Sequence, residues 1–134
     1  MRFIVGVFMV LHGLVHLLYV GHSLRLFELQ PGMAWPDGSW AFSKVLGDGR
    51  VRPLVAMFLV LAAMGFVAGG VAILLQQPWW RPTVVGAAAF SAVLFVLLWN
   101  GGWQNLDDQG LFAILINAVI LAAVLVFHWP DLGF

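Results

Sequence analysis

Four stretches of this chain, residues 3–20, 54–75, 83–99 and 111–129, contain no Asp, Glu, Lys or Arg. Each is close to the roughly 20 residues that cross a hydrocarbon core of about 30 Å at about 1.5 Å per helical residue. Lipid offers the backbone no hydrogen-bond partners, so apolar runs of this length are expected to be helices. Of the 134 residues, 63% are hydrophobic and 9% are charged, too few polar groups to clothe a soluble core of this size. The expected fold is therefore all-α: a single-domain polytopic four-helix bundle in a membrane, with a short interfacial helix in its first long connection. A prokaryotic cytoplasmic membrane is the expected location.

Arg2 ahead of an apolar run and Gly21-His22-Ser23 after it resemble a cleavable signal. The segment is nevertheless expected to be retained as the first helix. Six basic residues balance six acidic ones, so there is no basic face for nucleic acid, which is excluded as a partner. The chain has no cysteine, which excludes iron–sulfur clusters, thiolate zinc sites and cysteine nucleophiles.

The connections differ in character. Gln76-Gln77-Pro78-Trp79-Trp80-Arg81-Pro82 is a tight turn whose paired Trp suit the headgroup level, making the second and third helices an antiparallel hairpin. The long connection, 21–53, carries Arg25, Glu28, Asp37, Lys44, Asp48, Arg50 and Arg52. Within it, Asp37 or Ser39 can cap a short surface helix bearing Trp40, Phe42, Val45 and Leu46, which Gly47 would end. The last connection, 100–110, is rich in Gly, Asn, Gln and Asp. Four crossings put both polar connections at one end of the bundle. Lys44, Arg50 and Arg52 are expected to meet Asp107 and Asp108 there as a joined cap, and His22, Asn100, Gln104, Asn105 and Asp107 mark the same end for recognition. Arg25, Lys44, Arg50 and Arg52 at this end outnumber Arg2 and Arg81 at the other, which favours a cytoplasmic long connection.

Polar residues inside the apolar stretches are few. His12 and His16 are four apart, and Tyr19 continues their face. Unpartnered imidazoles in hydrocarbon are costly, so this face should turn inward, where Asn117 and Ser91 lie at similar depth. The five side chains are expected to form an interior polar cluster that cross-links helices or orients a ligand. A metal site would need a third protein ligand beside the His pair, and its presence is left open. Haem is disfavoured, because both histidines share one helix, His128 ends the fourth helix at the opposite end, and only Met57 or Met64 could serve as a second axial ligand. A quinone or lipid held between helices asks least of these residues.

Gly65 and Gly69, Gly86, and Ala118 with Ala122 supply small faces for close helix packing, within the bundle or against a second copy. Leu11-His12-Gly13-Leu14-Val15-His16, Arg52-Pro53-Leu54 and the progression Asp107, Gly110, Asn117 resemble a group of small bacterial four-helix membrane proteins with an HGxxH-type first helix. The resemblance implies the helix layout and no activity. No catalytic spacing can be quoted. The expected function is that of a non-enzymatic membrane subunit, oligomeric or accessory to a larger complex, enclosing a lipid or quinone. The alternative is a small redox or metal-dependent membrane enzyme using His12 and His16.

Overall fold

The computed structural model describes residues 1–134, which are 68% helical and contain no strand. The long helices are α1 (Arg2–Ser23), α3 (Asp48–Leu74), α4 (Trp80–Leu97) and α5 (Leu111–Leu121), the last continued by a π-helical turn at Ala122–Val126. A single turn, α2 (Ser43–Leu46), and a 3-10 turn at Leu106–Gln109 lie in the two polar connections. Three helices, α1, α3 and α4, are long and apolar enough to cross a membrane.

Local chemistry explains where these boundaries depart from the apolar stretches. The third element begins at Asp48 instead of residue 54, taking Asp48, Arg50, Arg52 and Pro53 into its first turns. Gly47, at φ 76°, reverses the chain from α2 into α3, and its carbonyl accepts from the N–H groups of Arg50 and Val51. A proline so near a helix start sacrifices little. The fourth helix stops short of residue 129, because the π-turn ends at Val126 and His128 adopts φ 50°. Together α5 and its π-turn rise about 24 Å. Arg81 Nη2 holds the tail that follows, donating to the carbonyls of His128 (3.2 Å) and Pro130 (3.4 Å). The helix expected around Trp40 to Leu46 is only the turn Ser43–Leu46; Gly47 does end it, its N–H bonded to the Ser43 carbonyl.

The helices pack in order, α1 on α3, α3 on α4 and α4 on α5. Glycine sets the closest approach: a Cβ on Gly70 would stand 2.7 Å from the Gly6 carbonyl oxygen, and one on Gly13 would stand 2.9 Å from that of Ala63. The Gly65 and Gly69 step is consumed within the molecule, against Ala87 and Val84 of α4. Gly86 faces open space, and Ala118 is exposed.

Two apolar cores result. One, at the end carrying the termini, includes Met9, Phe66, Ile73, Trp80, Ala88 and Ile120; the other, at the polar-connection end, includes Trp35, Leu59, Leu94, Phe95 and Ala113. On α4 and α5 the polar residue sits between a residue of one core and a residue of the other, and on α1 it sits between Met9 of the first core and Tyr19, which packs against the second. His12 and His16 follow Met9, Ser91 falls between Ala88 and Leu94, and Asn117 falls between Ala113 and Ile120. The interior is thus apolar, polar, apolar along its length.

Candidate functional site

The polar layer is one connected network. His16 Nδ1 lies 2.9 Å from the His12 carbonyl oxygen, and His16 Nε2 lies 2.7 Å from Ser91 Oγ. Asn117 Nδ2 donates to Ser91 Oγ at 2.9 Å, while Asn117 Oδ1 is 3.0 Å from His12 Nε2. A carbonyl can only accept, so His16 Nδ1 carries a proton. In a neutral ring Nε2 must then accept, which makes Ser91 the donor to it. Ser91 in turn accepts from Asn117, and Asn117 accepts from His12 Nε2–H. Every proton in this ring of contacts has one consistent direction. All four side chains are buried, Ser91 and Asn117 completely, and Phe66 packs edge-on against His12 with ring centroids 4.6 Å apart.

The network ties α1 to both α4 and α5. Of the five residues expected in the interior cluster, it joins His12, His16, Ser91 and Asn117. Tyr19 stands apart. Its ring packs edge-on against Trp35 (5.4 Å) and Phe95 (5.3 Å), and its hydroxyl has no protein partner. The α1 face that carries the histidines runs on from the polar layer into the second apolar core, so Tyr19 meets rings where His16 meets Ser91.

A seam opens beside this layer because α1 and α5 do not pack along their length. Toward the termini the seam is an apolar cleft of about 470 Å³ between Ile4, Phe8 and Met9 on α1 and Ile116, Val119 and Ile120 on α5. It continues past Phe8 and Ile116 as a smaller cleft of about 260 Å³ reaching His12, His16 and Tyr19. His12 Nδ1 has no hydrogen-bond partner in the protein. The otherwise apolar trough therefore ends at His12 and Tyr19, each of which has a polar atom, Nδ1 and the hydroxyl, without a partner in the protein.

For a metal the donor set is incomplete. No three His, Asp or Glu side chains converge anywhere in the chain, and both His16 nitrogens and His12 Nε2 are engaged in the network.

At the polar-connection end the ion pairs differ from those expected. Lys44 and Arg50 form none, and neither Asp107 nor Asp108 pairs with Arg52. Asp37 takes Arg52 instead, in a two-pronged contact of Nε to Oδ1 at 2.8 Å and Nη2 to Oδ2 at 2.7 Å, and it also meets Arg25 at 3.4 Å. Arg52 donates further to the carbonyls of Ser23 (3.2 Å) and Ala34 (3.3 Å). Arg52 is only 9% exposed, and four of the five N–H groups of its guanidinium are hydrogen-bonded, which offsets its desolvation. Asp37, in the connection that leads into α3, closes a shorter loop to it than Asp107 or Asp108 could. His22 latches the connection to the end of α1. Its Nε2 donates to the Trp35 carbonyl at 2.9 Å, and its Nδ1 accepts from Leu29 N–H at 3.3 Å.

Sequence reasoning gave Asp37 a capping role instead of its pairing with Arg52, and it assigned nothing to Ser23 or to Trp35, which is 1% exposed. The same connection caps α4. Ser39 Oγ donates to the Leu97 carbonyl, Trp40 Nε1 to that of Val96 and Trp40 N to that of Trp99, each at 2.8 Å. The Leu97 carbonyl, which the helix end leaves free, is satisfied in this way, and that of Val96 gains a second donor beside the Trp99 N–H. No family model, curated protein or solved structure matches the chain.

Proposed function

We propose that the chain is a small four-crossing integral membrane subunit, not an enzyme, that holds an apolar molecule with a hydrogen-bonding oxygen, a quinone or a lipid, in the seam between α1 and α5. The observation that carries this is the seam itself: an apolar trough ending at His12 and Tyr19, whose Nδ1 and hydroxyl have no partner in the protein. Bundle interiors bind such molecules through a mostly apolar wall and a few orienting groups. A quinone carbonyl accepts from Tyr19, and a lipid hydroxyl donates to His12.

The crossing of α5 is supported by its composition, with Phe112, Leu115, Val119, Leu125 and Val126 all exposed. An exposed apolar helix needs lipid or a partner around it. Exposed Trp40 and Val45 suit α2 to the interface, with the long connection cytoplasmic. Gly86 on α4 and Ala118 on α5, unused by internal packing, support contact with a second copy or a larger complex.

The test is extraction and mass spectrometry of the molecules that co-purify from the native membrane with the full chain and with Ile116→Trp, whose indole would fill the seam where its two parts meet. One discrete quinone or lipid, near stoichiometric in the parent and depleted in the variant, is expected. Identical bulk phospholipid in both would overturn the proposal.

A further inference from the structure

A second site lies on the other side of α5, at the polar-connection end. Between the last turn of α4 and the first of α5 is an apolar cleft of about 270 Å³, walled by Phe95, Val96, Leu111 and Ile114. It adjoins a polar chamber of about 530 Å³ walled by Asn100, Gln104, Asn105 and Asp108. Trp103 and Gln109 line both, so cleft and chamber meet at these two side chains as the apolar and polar halves of an amphipathic site.

The chemistry of this space is selective. The chamber wall has amides and one carboxylate but no Lys or Arg, so a phosphate headgroup would meet Asp108 with no cation to neutralise it. Gln109 Oε1 has no hydrogen-bond partner and no solvent access, so this acceptor meets an O–H or N–H from outside the chain once the side chain turns into the chamber that Gln109 lines. Trp103 is 79% exposed although the loop around it is well fixed. Trp99 Nε1 donates to the Gly102 carbonyl at 2.7 Å, Gly102 N–H to Asn100 Oδ1 at 2.8 Å, and the Trp99 and Trp103 rings meet edge-on at 5.1 Å. A held, exposed indole face next to amides and a carboxylate matches a ring with an apolar face and a rim of hydroxyls. A quaternary amine would have nothing to donate to Gln109.

We propose that this space binds a neutral glycolipid, with its sugar ring on Trp103 among the amides and its acyl chain in the cleft against Phe95 and Ile114. Membrane insertion brings the two halves of such a ligand to the two halves of the space, a placement that rests on the membrane-spanning layout but not on occupancy of the α1/α5 seam.

The test uses the full chain in phosphatidylcholine nanodiscs, with native mass spectrometry reading the binding of monoglucosyl dioleoylglycerol, dioleoylphosphatidylglycerol and dioleoylphosphatidylethanolamine. The glucolipid should bind about tenfold tighter than either phospholipid, and Trp103→Ala and Gln109→Leu should each weaken it by about tenfold, as loss of a central contact does. Ile116→Trp should leave glucolipid binding intact, which separates this site from the seam. Circular dichroism should show unchanged helix in both site variants, Trp103 being exposed. Equal binding of either phospholipid, undiminished glucolipid binding in both variants, or methyl glucoside alone competing as well as the glucolipid would overturn the proposal.

Discussion

Ser91→Ala isolates the polar layer, because it deletes one oxygen from a site with no solvent access and changes the packed volume very little. That oxygen is the junction of the network: it donates to His16 Nε2 at 2.7 Å and accepts from Asn117 Nδ2 at 2.9 Å. Two interhelical hydrogen bonds vanish. Bonds of this kind in membranes are worth about 0.6–2 kcal/mol each, so the loss should be about 1–4 kcal/mol. The upper half of that interval is expected, since His16 and Asn117 are left with an unpaired acceptor and donor that water cannot reach. Reversible unfolding in mixed micelles, followed by far-UV circular dichroism against the mole fraction of dodecyl sulfate, measures it. A double-mutant cycle with Asn117→Leu should show non-additivity, because the second substitution breaks a bond that the first has already removed. A loss below about 0.5 kcal/mol, or additive effects, would refute a connected network as the element linking α1, α4 and α5.

Other perturbations separate the parts of the fold. Arg52→Met should cost about 1–3 kcal/mol by leaving Asp37 only its longer contact with Arg25 and freeing the connection from α3, whereas Arg50→Ala and Lys44→Ala should stay within about 0.5 kcal/mol of the parent in the same assay. Gly70→Ala should destabilise by about 1–3 kcal/mol, because the new methyl meets the Gly6 backbone, whereas Gly86→Ala meets nothing and should gain up to about 1 kcal/mol in helix propensity. Ser39→Ala, which frees the Leu97 carbonyl, should cost about 1 kcal/mol and speed hydrogen exchange at the C-terminal turn of α4 ahead of the rest of the helix.

Periodicity makes some of this legible from residues alone, and chain path hides the rest. The i, i+4 spacing of His12 and His16 places both on one face, and the cost of a bare imidazole in lipid turns that face inward. Depth along an apolar helix is countable from its ends, which is why Ser91 and Asn117 could be set beside them. Tyr19 shares the stripe but not the network, since residue type at a given spacing does not say whether a neighbour's hydroxyl or ring will be there. Asp37 with Arg52 was hidden for a different reason. Complementary charge on one end of a bundle is compatible with many pairings, and the one adopted depends on how the long connection folds back over Trp35. The π-turn at Ala122–Val126 lies in a uniformly apolar run with no Pro or Gly to mark it, so nothing in the sequence distinguishes it from the α-helix before it.

The most direct measurement of the central proposal is photo-crosslinking in the native membrane with benzoylphenylalanine at Phe8, whose own ring already lines both parts of the α1/α5 seam, and at Leu61, on the outer face of α3. An occupied seam predicts that position 8 yields one discrete small-molecule adduct, identifiable by mass as a quinone or a single lipid species, while position 61 yields only the mixture of bulk phospholipids. The same mixed adducts at both positions would contradict it.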